Sequence, residues 1–572
     1  MTRRRAALGA ALIVIAAVAW LAWQASHVRS DLAAATSQAR QLRTQAARGD
    51  YAGARRTLNR VRARVGDAAG RTDDPAWRFA AAVPFLGRDI SAVRRGAQAT
   101  QQLAVTVLPD VERLTELIQE RPPLKGGAIQ LNTLVALQPL VDRSASAATQ
   151  VRAQLATAPR PLLGQVRDGL ATLDTQVAQL DDGLRSAAAA LKIMPAMLGA
   201  DGPRRYLMAV QNNAEARATG GLIGGYAIAT ADHGRVSLVR AGADTDFMVP
   251  TAPVALPADA SDTWTREGSA QFWFNANLTP HFPDAATSLA GIWAAQSGEH
   301  LDGVLALDPI AMAELLRPGG PVSLPGGLRV GPADIADFVM HREYVLFPGA
   351  DQGPRKRLVS ALAGAVFHSV LGGGRPSATL GAMSAAARSG HLFLWSAHAA
   401  EQVVLQRGLL GGALPTTNTP FLEVLSQNYG GDKLDYYVRR TVHVSRTKDR
   451  RLRVEVQLRN VAPSGLPRYM TVRSDGPRPP VPVGQAKVAV SVYGAKSSRF
   501  DQVQLDGVTS TMAFDTDHGQ AFGTMVLELP QGAIRTVSVV LSEPRGRLAY
   551  RQQPLAYPDA LDLAVPHDVV GR

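Results

Sequence analysis

Apolar residues recur three and four positions apart from Leu163 to Leu191, and this spacing limits how the chain can fold more than any other feature. The positions are Leu163, Val166, Leu170, Leu173, Val177, Leu180, Leu184, Ala187 and Leu191. The pattern places these side chains along one seam of a helix, as in a coiled coil. The seam must be buried against other helices of the chain or of a second copy.

The surrounding segment 30–200 is rich in Ala, Leu, Gln and Arg, and proline pairs such as Pro122-Pro123 interrupt it. These features predict a helical stalk that folds back on itself. Its heptads can also pair between chains, so a homo-oligomer through the stalk is one alternative, and the sequence leaves the oligomeric state open. Arginines cluster in the first part of the stalk, at Arg55, Arg56, Arg60, Arg62 and Arg64. They indicate either a site for anionic lipid headgroups or a solvated helix face.

An uncharged apolar run extends from Ala6 to Trp23, directly after three arginines. Such a run is close to the length needed to cross a bilayer of about 30 Å. It predicts a cytoplasmic tip and transmembrane anchor at 1–29, in a single-pass cell-membrane protein whose bulk is extracytoplasmic. A cleaved signal peptide is the alternative, but Trp23 occupies a position where cleavage requires a small residue.

The pattern changes twice after the stalk. Strand-like and helix-like segments alternate over 203–410, which predicts an α/β domain. A linker rich in Gly, Pro and Thr begins the segment 411–433. Short strands separated by Pro/Gly turns then predict a β-sandwich at 434–572. The predicted fold is therefore multidomain, with an anchor, a helical stalk, an α/β domain and a β-sandwich.

The 572-residue chain carries a net charge of +13 and no cysteine. A basic exported protein suits anionic partners such as phospholipid headgroups, wall polymers or lipid-linked phosphates. Nucleic acid is not expected outside the membrane. The sequence has no Gly-x-Ser-x-Gly elbow, Walker loop, His-Glu-x-x-His motif or cysteine-containing metal motif, which argues against the common hydrolases, nucleotide-driven enzymes and zinc proteases.

The most distinctive segment runs from Gln211 to Tyr226, between two predicted strands. Ligands bind at strand ends in α/β sheets, and glycine lets a ligand approach the backbone closely. The candidate substrate-binding residues here are Gln211, Asn212, Asn213, Gly220 and Gly221. A structured turn, with amides bonded to the backbone and glycines at bulges, explains the same residue types.

Two further features suggest a phosphate site. The cations of Pro354-Arg355-Lys356-Arg357 begin a predicted helix, where an anion would offset their unfavourable position on the helix dipole. Asp244, just after a strand, has the ligand type that Mg²⁺ prefers. Solvated surface cations and a turn-forming aspartate are the alternatives.

The Gln211-to-Tyr226 segment resembles a family of membrane-anchored proteins of unknown function, DUF4012, common in actinobacteria. Gly202-Pro-Arg-Arg-Tyr-Leu207 before it, Leu301-Asp-Gly-Val-Leu-Ala-Leu-Asp-Pro309 after it and Asn428-Tyr-Gly-Gly-Asp-Lys433 also carry the resemblance. The resemblance is specific for membership of this family, but it says almost nothing about activity.

The order of elements is more distantly similar to the LytR–CpsA–Psr wall-assembly phosphotransferases, which act on polymers carried on polyprenyl diphosphate. This resemblance implies catalytic roles for Arg217, Arg357 and Asp244, the last as a Mg²⁺ ligand, with Arg355 binding substrate. The arginine of the family's strand-borne Arg-Asp-Thr is Ala243 here. Arg240, on the preceding strand, is the candidate replacement.

Two functions remain open from the sequence. The first is a phosphotransferase or phosphohydrolase that acts on a lipid-linked glycan diphosphate in wall assembly. The second is a non-catalytic envelope scaffold or glycan-binding protein with a degenerate site, which the missing arginine favours.

Overall fold

A computed structural model describes residues 41, 45, 50–83, 86–349, 352–372, 376–416, 418–563 and 569–571. The described chain forms two compact units. The first contains most residues before 197, and the second contains most residues from 197 onward.

The first unit is helical. Its helices are α1 (Tyr51–Thr72), α2 (Pro75–Ala81), α3 (Leu86–Glu120), α4 (Leu131–Ala156) and α5 (Gly164–Met197), with the short strands β1 (Leu124–Lys125) and β2 (Ala128–Ile129) before α4. Arg143 on α4 bonds Asp110 on α3, whereas Arg95 on α3 bonds Thr157 at the end of α4. This reversed order of contacts shows that α3 and α4 are antiparallel.

Part of the heptad seam of α5 packs against other helices of the same chain. Val177, with Leu170 and Leu173 beside it, contacts the fully buried Val151 of α4 and Ala99 of α3. Burying this stripe removes apolar surface from water, which is the main term that stabilises such a bundle. The part of the seam around Val177 is therefore covered without a second copy of the chain.

No helix among the described residues has the length and apolar content needed to cross a membrane. The longest helices, α3 and α5, are amphipathic, and both contain several charged residues. The predicted anchor at 1–29 lies outside the described residues. The predicted fold class is corrected accordingly: the described chain consists of helices and several sheets, and a transmembrane N-terminus is not supported.

A mixed sheet forms the centre of the second unit. Its strands β3 (Arg204–Arg217), β4 (Gly220–Asp232), β5 (Arg235–Ala243), β6 (Gly303–Leu307) and β9 (Leu392–Ser396) lie in the order β5-β4-β3-β6-β9. Only β3 and β6 are parallel neighbours. β3 and β4 form a long hairpin whose tip lies beyond the regular ladder.

Helices and short strands surround this sheet. They are α6 (Asp262–Arg266), α7 (Phe282–Ser297), α8 (Pro309–Leu316), β7 (Val322–Ser323), β8 (Arg329–Val330), α9 (Ile335–Asp337), α10 (Glu343–Leu346), α11 (Gly353–Gly372), α12 (Pro376–Arg388) and α13 (Ala399–Arg407). Asp308 caps the start of α8, because its Oδ1 accepts hydrogen bonds from Ile310 N and Ala311 N.

Two six-stranded sheets enclose a second core, built from alternating buried residues such as Val442, Val444 and Val454. The strands, with the short helix α14 (Arg468–Thr471), are β10 (Phe421–Asn428), β11 (Val438–Arg446), β12 (Leu452–Asn460), β13 (Ala486–Tyr493), β14 (Arg499–Leu505), β15 (Val508–Thr509), β16 (Ala513–Asp517), β17 (Gln520–Leu529), β18 (Ile534–Ser542), β19 (Leu548–Arg551), β20 (Ala560–Leu563) and β21 (Val569–Gly571). β10 lies within the segment predicted as a linker.

The β-sandwich packs on the central sheet through an aromatic cluster. Trp264 of α6 stacks on Phe522, with ring centroids 5.4 Å apart, and Phe522 stacks on Tyr493 at 4.5 Å. The Trp264 indole N–H donates to the Tyr493 hydroxyl at 2.8 Å. All three rings are almost fully buried, so the two sheet systems share one hydrophobic joint.

Candidate functional site

The tip of the β3–β4 hairpin is irregular and fully buried. The ladder pairs Asn212 with Leu222 and Ala216 with Gly221, so the three residues 213–215 have no partner in β4. The last five residues of β3 are nevertheless all buried. Polar groups that leave a ladder inside a protein need other hydrogen-bond partners, and the rest of the second unit supplies them.

The three predicted amides are bonded within the protein. Gln211 Oε1 accepts a hydrogen bond from Gly221 N at 3.1 Å. Asn212 Nδ2 donates to the Tyr344 hydroxyl at 2.6 Å. Asn213 Nδ2 donates to Asp308 Oδ2 at 2.8 Å. These side chains therefore hold the hairpin tip to neighbouring segments, as the structured-turn alternative predicts.

The glycine pair is also explained by the chain itself. A Cβ on Gly221 would lie 1.9 Å from the carbonyl oxygen of Asn212, and a Cβ on Gly220 would lie 1.9 Å from Gln211 Oε1. Gly220 also has a φ of 137°, which side chains disfavour. The close approach that requires glycine here is that of the opposite strand of the hairpin.

Four charged residues form two ion pairs beside this tip, and we call them the buried charge cluster: Glu215, Lys433, Glu343 and Arg355. Lys433 Nζ lies 2.6 Å from Glu215 Oε1, and Arg355 Nη1 lies 2.5 Å from Glu343 Oε1. The ring of Tyr469 lies 5.1 Å from the Lys433 ammonium and 5.6 Å from the Arg355 guanidinium. The cluster joins β3, α10, α11 and the segment after β10.

Burial strongly affects the acids in and near the cluster. It raises the pKa of Glu343 to about 7, although Arg355 opposes this shift. Burial, reinforced by the nearby Asp432, raises the pKa of Asp435 to about 7. Asp435 Oδ2 accepts hydrogen bonds from Ala216 N and Asn428 Nδ2. The hairpin tip is therefore bonded to the 428–435 segment through Asp435, a carboxyl group whose pKa is raised by burial.

Arg217 is a structural residue in this arrangement. Its guanidinium donates to the carbonyl oxygens of Asn428 at 2.6 Å and Phe274 at 3.3 Å. Its side chain is buried, and burial lowers its pKa. A guanidinium in this position joins three backbone segments and does not face solvent.

The other predicted residues lie elsewhere. Asp244 forms an ion pair with Lys356 at 3.1 Å, so an ammonium occupies the place proposed for Mg²⁺. Arg357 is exposed. Arg240 is exposed, 3.8 Å from Glu299 and 5.5 Å from the ring of Trp293.

The structure does not bring the three predicted catalytic residues together. Arg217 pairs with Gly220, and Ala243, next to Asp244, pairs with Gly225. The intervening stretch of β4 is roughly 17 Å long at about 3.3 Å per residue. Arg355 is the one predicted binding residue that reaches the buried charge cluster, and there it is paired with Glu343.

A second polar group, which sequence reasoning missed, lies between α7 and the β16–β17 turn. His281, Asp284 and His518 could offer metal ligands within 4.8 Å of one another. However, His281 Nδ1 accepts a hydrogen bond from Leu414 N at 3.0 Å. Because a metal-bound histidine normally donates its other ring N–H to an acceptor, this bond opposes coordination. The two rings also stack at 3.6 Å, so they do not point at a shared ion.

The missed residues left only a weak signal. Lys433 ends the segment Asn428–Lys433 that carries the family resemblance, and Asp435 lies two residues after it. Their role depends on contact with β3, more than two hundred residues earlier. Charged residues inside a motif can face solvent or fill a buried network, and local pattern does not separate these cases.

A protein-family model matches part of the chain. Residues 201–344 match the family model described as protein of unknown function (DUF4012), a range that runs from before the hairpin to Tyr344 in α10. No curated protein and no solved structure matches the chain. The chain therefore carries a DUF4012 region at residues 201–344, as the resemblance of its sequence predicts.

Proposed function

We propose that this chain is a non-catalytic scaffold or glycan-binding protein of the cell envelope. The observation that carries the proposal is that two of the predicted phosphate-binding cations, Arg217 and Arg355, are bonded to groups inside the protein. Arg217 bonds backbone carbonyls, and Arg355 pairs with Glu343 at 2.5 Å. Neither guanidinium is available to a substrate in this conformation.

Phosphoryl transfer makes the opposite demand on a protein. Cations and a metal must point at the place where charge develops in the transition state. Releasing Arg355 would leave Glu343 buried and unpaired, and breaking such a pair costs about 3–5 kcal/mol. Asp244 would also have to exchange Lys356 for Mg²⁺. These costs favour the non-catalytic function over the phosphotransferase.

The packing of the second unit supports a scaffold. The aromatic joint and the buried charge cluster both connect the α/β sheet to the β-sandwich. A large joint with matched charges holds the two sheet systems in one orientation. Fixed relative orientation suits a protein that presents binding surfaces rather than one that closes around a substrate.

An assay with a glycan linked to polyprenyl diphosphate tests this proposal. The purified protein is incubated with this substrate and Mg²⁺, and released phosphate and transferred glycan are measured. We expect neither product, together with measurable binding of isolated wall polymer by cosedimentation.

The contradicting result is Mg²⁺-dependent turnover that Asp244→Asn abolishes. Asp262→Asn is the matched control, because Asp262 is an exposed aspartate at the start of α6. Turnover lost in Asp244→Asn and kept in Asp262→Asn would establish an enzyme.

A further inference from the structure

Helix α1 carries a concentrated positive charge. Its arginines are Arg55, Arg56, Arg60, Arg62, Arg64 and Arg71, and its one acidic residue is Asp67. No acidic residue lies between Arg55 and Gly66. The opposite face of the helix is apolar and buried, with Leu58 and Val65 almost fully covered. The charge therefore lies on the outward face.

The arginines form two rows on that face. At about 100° per residue, Arg56, Arg60 and Arg64 fall on one flank, and Arg55 and Arg62 fall on the other. All five side chains are exposed. Along the first flank, a step of four residues advances about 6 Å, and on the other flank the seven residues from Arg55 to Arg62 advance about 10.5 Å.

Small residues lie between the two rows. They are Asn59, Ala63, Gly66 and Gly70. A Cβ on Gly66 or Gly70 would have no neighbouring atom within 4 Å, so this strip is open. The outward face of α1 is thus a shallow trough with cationic walls, which we call the arginine trough.

Most of the trough cations lack a carboxylate partner. Among the described residues, Arg55, Arg56 and Arg62 form no ion pair, and Arg60 only donates to Thr57 Oγ1 at 3.0 Å. Like charges four residues apart on a helix destabilise it. An anion bound along the trough would remove this repulsion.

We propose that the arginine trough binds an anionic polysaccharide with phosphate or carboxylate groups along its chain. This inference rests on the proposed function and names the class of glycan. The rows extend about 13 Å between Arg55 and Arg64 at 1.5 Å per residue, which fits successive charges of a polymer. Between Arg55 and Gly70 the trough offers no aromatic ring for base stacking, so nucleic acid is the less suited polyanion.

Binding to polygalacturonate, a polysaccharide with one carboxylate on each sugar, tests the inference. Fluorescence anisotropy with the full chain measures the affinity of a labelled polymer at several salt concentrations. We expect Arg56→Gln/Arg60→Gln to bind about tenfold more weakly than the unmodified protein, from the loss of two exposed charge contacts. The affinity of the unmodified protein should also fall with salt, because exposed charges are screened.

Two control variants separate charge from fold. Arg88→Gln/Arg121→Gln removes two exposed arginines from α3 and the turn after it and should bind like the unmodified protein. Arg56→Lys/Arg60→Lys keeps the charge and should bind nearly as well. Circular dichroism verifies that each variant is folded.

Three results would overturn the inference. One is equal binding by Arg56→Gln/Arg60→Gln and the unmodified protein, which would leave the glycan-binding function standing at another surface. Another is tighter binding of duplex DNA than of polygalacturonate. The third is no binding of the polymer by the unmodified protein. Mg²⁺-dependent turnover in the earlier assay is a separate result, and it would refute the non-catalytic function.

Discussion

At the scale of single residues, the motif from Gln211 to Tyr226 serves the fold. Its residue types predict both a ligand site and a structured turn, because amides and glycines are useful in either role. The distances decide between them: the atoms nearest to Gly220 and Gly221 belong to Gln211 and Asn212 of the facing strand. A pattern of residue types cannot show whether the close neighbour is a ligand or the chain itself.

Two glycines of β4 provide a direct comparison. Gly221→Ala places a methyl group 1.9 Å from a backbone oxygen, whereas a methyl group at Gly224 meets no atom within 4 Å. We expect Gly221→Ala to lower the free energy of unfolding by about 1–3 kcal/mol or more. Gly224→Ala should change it by less than about 1 kcal/mol. Urea unfolding followed by circular dichroism measures both, and equal effects would contradict the close packing of the tip.

At the scale of elements, contacts between distant segments determine the arrangement. Strand β10 illustrates this, because the glycine- and proline-rich stretch before it predicts a linker over 411–433. The structure instead buries all eight residues of Phe421–Asn428 in a sheet. Glu423 is fully buried there because it pairs with Arg551 at 2.5 Å. A buried strand that contains polar residues lacks the apolar pattern by which buried strands are predicted. The partners of these polar residues, such as Arg551 for Glu423, lie far away in the sequence.

The aromatic joint gives a prediction at this scale. Trp264→Ala removes a fully buried ring that stacks on Phe522 and donates to Tyr493. We expect the free energy of unfolding of the second unit to fall by about 3–5 kcal/mol. Phe514→Ala is the control, because Phe514 is 54% exposed. Circular dichroism during urea unfolding measures both variants. A loss of unfolding free energy in Trp264→Ala that is as small as the loss in Phe514→Ala would show that the joint contributes little.

At the scale of the whole molecule, the sequence predicts part of the architecture. The strand-like runs at 206–210 and 222–230 in the sequence lie within β3 and β4. Asp232-His233-Gly234 is typical of a hairpin turn, and it connects β4 to β5. These features follow from local alternation and turn residues. The joining of the sheets does not, because it depends on Lys433 reaching Glu215 and Asp435 reaching Ala216 across the chain.

The buried acids make stability depend on pH. Burial raises the pKa values of Asp435 and Glu343 to about 7 and that of Asp432 to about 6, above their unfolded values. Each group therefore stabilises the folded state fully at pH values below its unfolded pKa. This contribution is lost as the pH rises through the folded pKa. His518 has the same sign, because Asp284 raises its pKa against the opposing effect of burial.

The free energy of unfolding should therefore decrease from pH 6.5 to pH 8. Burial lowers the pKa of His281, with an opposing effect on stability that is confined to lower pH. Thermal unfolding at several pH values measures the trend, and Asp435→Asn should reduce the slope. A stability that rises over this interval would contradict the burial of these acids.

In the non-catalytic function that we propose, Arg217 and the buried charge cluster hold the second unit together and do not act on a substrate. The most direct test measures the unfolding free energy and the wall-polymer affinity of the same variant, Arg217→Gln. We expect the free energy of unfolding of this variant to fall by roughly 2–5 kcal/mol, because several buried carbonyl groups lose their hydrogen-bond donor. The affinity of the folded variant should equal that of the unmodified protein. An unchanged free energy of unfolding together with a loss of wall-polymer affinity would contradict the structural role of Arg217.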